Sequence, residues 1–294
     1  MTRSKKKQKD LESALMTRKT GRMGDIVARF FRNKLGMLGL TIIVVLLILV
    51  ILAPLFTKYP YYEQSFKDRF VAPCWEHPLG TDNFGRDIFS RVLEGAGTTL
   101  FIAVSAVAAG LFFGILIGAF TGWYGGWVDE VLMRVADVIT AFPSILLALV
   151  LISLLGSGKY NIILALTLLF IPSFSRVVRS EYAKQKELDY VRNARLMGVG
   201  TLRIMFVHIL PNVWPVLLSS VTIGFNNAVL AEAAMSYVGI GVLLPDASLG
   251  RMLSESQAFF FSAPWYALSA GLTIVFLILG VGLISDGLGE WDNA

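Results

Sequence analysis

Six stretches of the chain lack Asp, Glu, Lys and Arg and are dense in Leu, Ile, Val, Phe and Ala. A transmembrane helix needs about 20 consecutive residues of this kind to cross a hydrocarbon core about 30 Å thick. The runs do not alternate between apolar and polar positions, so they exclude a transmembrane β-barrel. We therefore predict an all-α, polytopic membrane protein with six transmembrane helices. The predicted spans are residues 36–57, 98–121, 138–156, 160–178, 212–238 and 265–286.

The distribution of basic residues predicts the orientation of these spans. Residues 1–34 form a basic N-terminal arm before the membrane domain of residues 35–290, and cytoplasmic flanks are rich in Lys and Arg. The N-terminus is therefore predicted to be cytoplasmic, and six spans return the C-terminus to the same side. This N-in/C-in topology makes residues 181–211 a cytoplasmic loop, which is itself basic. The outer loops are then residues 58–96 and 239–264.

Composition narrows the classes of partner. Hydrophobic residues make up 55% of the 294 residues and charged residues only 16%, well below the roughly 25% of soluble domains. The net charge is +5, and the basic residues behind it lie beside apolar spans. They therefore indicate the orientation of the chain in a membrane rather than binding to nucleic acid. The lysine-rich start of the arm is expected to lie near the anionic lipid of the inner leaflet.

The second apolar span carries a row of glycines. Gly110, Gly114, Gly118 and Gly122 are spaced four residues apart, which places them on one helix face. A face without side chains lets another helix backbone approach closely. The row predicts a tight helix–helix interface, either a static packing surface or a surface that moves during function.

One acidic residue lies inside the fifth apolar stretch. Glu232 occupies a position at which an ionisable side chain in a membrane is a candidate functional group. Two interpretations remain open: Glu232 lines a translocation path, or it is a buried hydrogen-bonding partner near the outer face.

The chain shows no motif for catalysis or nucleotide binding. It has no G-x-x-x-x-G-K-[ST] phosphate loop, so we predict that it neither binds ATP nor acts as an enzyme. Cys74 and His77 would supply two metal ligands where zinc takes four, so no metal site and no cofactor are predicted.

The cytoplasmic loop predicts two short helices separated by glycine. Apolar positions recur before Gly198 and again from Leu202 to Ile209, and Pro211 follows. Such a knob could dock in a groove on a soluble partner, or the loop could fold against its own bundle. The residues assigned to it are Tyr190, Val191, Asn193, Ala194, Leu196, Met197, Gly198, Leu210 and Pro211.

This loop resembles the coupling loop of permease subunits of ABC importers. That family's pattern is Glu-Ala-Ala, three residues, Gly, nine residues, then Ile-x-Leu-Pro. Here Gly198 holds the glycine position and Leu210-Pro211 end the pattern at the right distance. Arg192-Asn193-Ala194 replaces Glu-Ala-Ala, so the role of the family's glutamate does not carry over.

The first outer loop extends the resemblance to a subfamily. The run from Leu79 to Arg91 is similar to a signature, Leu-Gly-Thr-Asp-x-x-Gly-Arg-Asp-x-x-Ser-Arg, of the C-type subunits of dipeptide, oligopeptide and nickel importers. The block SYVGIGVLLPDASLGRML also resembles that subfamily. The residues that carry the outer-loop motif are Gly80, Asp82, Gly85, Arg86, Asp87 and Arg91.

The resemblance implies a type I ABC importer permease fold in the bacterial cytoplasmic membrane. It further implies import of short peptides by alternating access, with nickel or a metal chelate as the alternative. The implied partners are a homologous second permease, two ATPase subunits that bind ATP and Mg, and an extracellular solute-binding protein. A multi-pass membrane enzyme would need a polar catalytic group at membrane depth, and a passive channel would not need a charged cytoplasmic knob.

Overall fold

The structure, a computed structural model, describes residues 33–289, with side chains up to residue 287. The basic arm predicted for residues 1–34 therefore lies almost wholly outside the described residues, as does the C-terminal end. Asn33 caps the first helix, since its side-chain oxygen accepts hydrogen bonds from the amides of Leu35 and Gly36.

The described residues are almost entirely helical. The helices are α1 (Lys34–Ile51), α2 (Ala53–Phe56), α3 (Ile88–Tyr124), α4 (Gly126–Thr140), α5 (Ser144–Leu155), α6 (Lys159–Gln185), α7 (Asp189–Leu196), α8 (Thr201–Arg203), α9 (Leu210–Tyr237), α10 (Leu249–Ser256) and α11 (Pro264–Gly289). A π-helical turn, Ile204–Ile209, joins α8 to α9, and short 3₁₀ turns occupy Phe66–Asp68 and Gln257–Phe259.

Five continuous helical stretches are long and apolar enough to cross a membrane: α1, α3, α6, the stretch from α8 to α9, and α11. Helices α4 and α5 qualify only as a pair, either a broken span or a re-entrant loop, because they meet at an angle of 88°. The break falls at Ala141–Pro143, where proline has no amide hydrogen to continue a helix. The six predicted spans fall on these five stretches and this bent pair, and the all-α fold is confirmed for the described residues.

Helix boundaries differ from the prediction at several places; for example, α6 runs to Gln185, inside the predicted cytoplasmic loop of residues 181–211. Helix α3 begins at Ile88, inside the predicted outer loop of residues 58–96, because the Asp87 carboxylate caps it by accepting from the Ser90 amide at 2.8 Å. The second short helix predicted in the cytoplasmic loop is instead the first part of a continuous stretch, Thr201–Tyr237, that runs into the membrane.

Helix packing sets the position of every site described below. Helix α3 lies along α6, α1 lies along α11, and α9 contacts α3, α6 and α11. The larger hydrophobic core fills the space between these helices, and a smaller one surrounds Tyr182, Val191 and Met205. We call the end of the bundle where α3 and α11 begin the motif end, and the opposite end the α7 end.

Candidate functional site

The outer-loop motif folds into a tight turn around Asp82, whose side chain is fully buried. Its Oδ1 accepts from the amides of Phe84 (2.8 Å) and Arg86 (3.0 Å), which closes the loop. Gly85 takes a φ of +72° in this turn, a backbone conformation that side chains disfavour. Gly80 lies where an added Cβ would stand 2.7 Å from Nε1 of Trp265. The spacing of the motif therefore follows from the geometry of one turn.

Two arginines of the motif bind two carboxylates from different parts of the chain. Oδ2 of Asp82 lies 2.6 Å from both Nε of Arg86 and Nη1 of Arg91. The remaining Nη2 atoms of these arginines lie 3.0 Å and 2.9 Å from Oε2 of Glu255 in α10. Arg91 also donates to the hydroxyl of Tyr266 in α11 at 2.6 Å. These ion pairs and hydrogen bonds connect the start of α3 to α10 and α11.

Glu255 is the carboxylate on which the cluster converges. Tyr266 donates to it at 2.8 Å and Arg251 at 3.0 Å, in addition to the two motif arginines. Burial alone would raise the pKa of Glu255, but the charge of Arg91 and the hydrogen bond from Arg251 outweigh it and lower the pKa from 4.5 to about 2. Glu255 is therefore ionised at neutral pH and balances buried positive charge.

A second contact set holds the same loop to the start of α3. Asp87 accepts from the backbone amide and hydroxyl of Ser90, both at 2.8 Å, and lies 2.9 Å from Nδ1 of His77. The Ser90 hydroxyl also reaches the Tyr59 carbonyl, and the Tyr59 ring stacks on His77 at 4.9 Å. All six motif residues thus belong to one rigid unit at the motif end.

Glu232 lies in the packed interior of the bundle. Its carboxyl group has no exposed area and accepts from the hydroxyls of Thr99 in α3 and Ser236 in α9, both at 2.7 Å. The Ser236 hydroxyl in turn accepts from the amide of Val242, in the loop after α9. All of these partners are neutral. Through them, Glu232 connects α3, α9 and that loop by hydrogen bonds.

The glycine row of α3 packs against α6. A Cβ added at Gly114 would lie 2.5 Å from Cβ of Phe174, and one at Gly118 would lie 2.6 Å from Cβ of Val178. Gly110 and Gly122 would meet α6 at 2.8 Å and 2.7 Å. The four glycines therefore set a close approach between two long helices over about 18 Å, at 1.5 Å rise per residue.

Helix α7 is short and attached to the bundle on one face. Val191 is fully buried, and the guanidinium of Arg195 lies 4.4 Å from the ring centroid of Trp123 at the end of α3. Tyr190 donates to the side chain of Gln185 at 2.8 Å, and the half-buried Ala194 packs against the smaller core. One side of α7 is thus fixed to α3 and α6.

The other side of α7 presents apolar side chains to the surroundings. Leu196 is 87% exposed and Met197 is 73% exposed, while Asn193 is also exposed. Gly198 follows the helix with a φ of +75°. Its amide donates to the carbonyl of Arg195, and the amide of Val199 donates to the carbonyl of Ala194. This pair of hydrogen bonds requires the left-handed conformation at Gly198. Leu210 and Pro211 begin α9.

Ion pairs fix the α4 segment at the same end. Arg179 of α6 forms a two-pronged pair with Asp129 of α4, in which the Nη2–Oδ2 distance is 2.5 Å. Arg176 of α6 lies 2.9 Å from Asp137 of α4. These contacts tie α4 to α6 on the α7 side of the bend.

Sequence reasoning missed the partners that complete these sites. It assigned Arg86 and Arg91 to the motif but not Glu255, which lies 164 residues after Arg91. It singled out Glu232 but not Thr99, which lies 133 residues before it. The only feature of the sequence that could have pointed to Glu255 was its position. It falls in the second predicted outer loop, and so on the same side of the membrane as the motif.

Comparison with known families now decides the class. The family model described as "Binding-protein-dependent transport system inner membrane component" matches residues 114–291. The chain belongs to this family. A second model, the N-terminal TM domain of oligopeptide transport permease C, matches residues 21–73. The chain is therefore a multi-pass inner-membrane permease component rather than an enzyme.

Individual relatives agree with this assignment. The chain is 40% identical over 257 residues to the dipeptide transport system permease protein DppC of Alkalihalophilus pseudofirmus, covering 87% of this chain and 84% of the relative. It is 36% identical to the oligopeptide transport system permease protein OppC of Bacillus subtilis, covering 90% and 87%. The resemblance to the C-type subunits is confirmed.

A solved structure shows the same fold. An inward-facing form of the MetNI methionine ABC transporter matches with a TM-score of 0.54 and 18% identity, covering 69% of this chain and 95% of that chain. The type I importer permease fold is thereby confirmed, although identity this low supports the fold alone.

Proposed function

We propose that this chain is one permease subunit of an ATP-driven importer of short peptides. The relatives named above are peptide transport permeases, and they align with nearly the whole chain. They favour peptides over nickel as the solute. A second, homologous permease, two ATPase subunits and an extracellular binding protein complete the complex, and the termini of this chain lie in the cytoplasm.

The exposed side of α7 supports contact with an ATPase subunit. The apolar side chains of Leu196, at the end of α7, and of Met197, the residue after it, are exposed although Val191 and Arg195 attach this helix to the bundle. Apolar groups exposed on a fixed helix in an otherwise basic loop are typical of a docking surface. ATP-driven movement of the ATPase subunits would then reach the bundle through α7, which alternating access requires.

The solute is tested by uptake. Cells that lack this chain should lose uptake of a labelled dipeptide and keep uptake of radioactive nickel. The reverse result would transfer the assignment to nickel, and unchanged uptake of both would refute an import role for either solute.

Docking is tested by replacing Leu196 with Asp. The charge should lower co-purification of the ATPase subunits at least about tenfold, because a desolvated carboxylate opposes burial of an apolar contact. Tyr62, which is 61% exposed near the motif, supplies the control, and Tyr62→Asp should leave co-purification unchanged. Normal recovery of the ATPase with Leu196→Asp would show that α7 is not the docking surface.

A further inference from the structure

A cleft of about 550 Å³ opens between α5, α6 and α9. Its size falls in the range of small-ligand sites, roughly 300–1,000 Å³. None of the residues that line it carries an ionisable side chain. The polar members are Ser144, Ser173, Ser220 and Asn227, and the remainder are apolar residues or glycine.

These polar groups lie on helix faces that are directed toward the same space. On α9, Ser220 and Asn227 are seven residues apart, with Ile223 and Gly224 between them on the lining face. The two polar positions are therefore separated by about 10 Å along the helix, at 1.5 Å per residue. Ser173 of α6 and Ser144 at the start of α5 line the other walls.

Asn227 is the decisive residue, because its side chain is exposed near the middle of a membrane-spanning stretch. Within residues 33–289 its amide makes no hydrogen bond that the structure shows. An unpaired amide is strongly disfavoured in hydrocarbon, where no group can hydrogen-bond to it. The cleft face is therefore not built to contact lipid tails. It is built to meet water, solute or protein.

We propose that this cleft is a wall of the solute path and that its four uncharged polar side chains hydrogen-bond transiently to the peptide backbone. This inference rests on the proposed import of peptides. Every short peptide carries the same backbone amides and carbonyls, whereas its side chains differ in charge. A wall without charged groups neither attracts nor repels a peptide according to the charge of the peptide's side chains. Such a wall would let peptides of many different sequences pass.

Among the described residues, the main charged groups lie outside the cleft lining. The ion clusters around Glu255 and around Arg179 lie at the two ends of the bundle, and Glu232 is sealed among hydroxyl groups outside the cleft lining. The neutral lining is thus a local property of the cleft rather than of the whole chain.

Thiol accessibility in the assembled complex tests the location. In a Cys74→Ser background, since Cys74 is exposed, Asn227→Cys should react with a water-soluble maleimide. Saturating dipeptide and binding protein should slow that reaction severalfold. Leu272→Cys is the matched control, because Leu272 is 50% exposed on α11, outside the cleft lining and at a similar distance from the motif end. It should stay unreactive.

Two outcomes of this measurement would overturn the proposal. If Asn227→Cys is as unreactive as the control, the face is covered by lipid or by the second permease. If it reacts but dipeptide gives no protection, the cleft holds water without solute. Loss of dipeptide uptake in cells lacking the chain is measured separately, so failure of the peptide assignment is distinguished from failure of the cleft assignment.

A charge introduced at the same position tests the reason for neutrality. Asn227→Asp should lower uptake of an acidic dipeptide relative to a basic one by roughly tenfold, since like charges that meet in a poorly hydrated cleft repel by at least about 1.4 kcal/mol. Asn227→Gln should keep the wild-type ratio. An unchanged ratio in Asn227→Asp would overturn the proposal, because the binding protein upstream is the same in each strain.

Discussion

Glu255 is expected to be a principal source of stability at the motif end, and Glu255→Gln removes its charge while keeping its shape. The difference between a pKa of 4.5 and one of about 2, at about 1.4 kcal/mol per pKa unit, corresponds to about 3 kcal/mol of stabilisation. The substitution also leaves the positive charge of Arg91, a fully buried residue, less balanced. For a chain of this size the loss corresponds to a fall in apparent melting temperature of roughly 6 to 12 °C.

The assay is thermal unfolding of the purified complex in detergent, compared at one scan rate because unfolding of such assemblies is often irreversible. Glu130→Gln is the control, since Glu130 is largely exposed and lies 3.7 Å from Arg134, a pair worth little. A melting temperature for Glu255→Gln within 1 or 2 °C of wild type would refute the account of the cluster.

The same group predicts the dependence of stability on pH. Because the folded pKa of Glu255 is depressed, its contribution is complete above pH 4.5 and is lost as the pH falls from about 4.5 toward about 2. Wild type should therefore lose more stability than Glu255→Gln over that window. Parallel curves for the two proteins would contradict the assigned ionisation.

Two further substitutions test the helix contacts. Gly114→Leu should lower the melting temperature or prevent assembly, because a Cβ at this position would lie 2.5 Å from Cβ of Phe174. Ala108→Leu, at an exposed position of the same helix, is the control and should melt like wild type in the same assay. Glu232→Gln should retain most of the stability, because an amide oxygen can still accept a hydrogen bond from Thr99. Glu232→Leu should lower the free energy of unfolding by about 1 to 3 kcal/mol. Equal stability of the two variants would argue against these hydrogen bonds.

Local pattern explains why much of the fold could be predicted from the sequence. Backbone hydrogen bonds in lipid are satisfied only by helices or closed barrels, so the helices followed from the length of the apolar runs and from their lack of alternation. The four-residue spacing of Gly110 to Gly122 predicted a close helix interface, and the structure places that face against α6. Both signals lie within one helix and need no knowledge of its neighbours.

Features that depend on distant partners could not be predicted. The search for charge-free runs placed the start of the second span at residue 98, well after α3 begins, because Arg91 and Glu94 lie in its first two turns. Arg91 is tolerated there only because Asp82 and Glu255 neutralise it. The 88° bend between α4 and α5 was not predicted either, and a distant partner is again involved, because Asp129 of α4 pairs with Arg179 of α6.

Chain connectivity gives the proposed docking surface a direct route to the proposed path. Helix α7 is preceded by α6 and followed by the stretch that becomes α9, and these two helices form two walls of the cleft. Tyr182 near the end of α6 also donates to the carbonyl of Met205 at 2.9 Å, so the two connections are joined to each other beside α7. Under the proposed mechanism, a push on α7 would therefore act on both walls at once. Because α3 is held to α6 along its glycine row, the same proposal expects α3 to move with these walls.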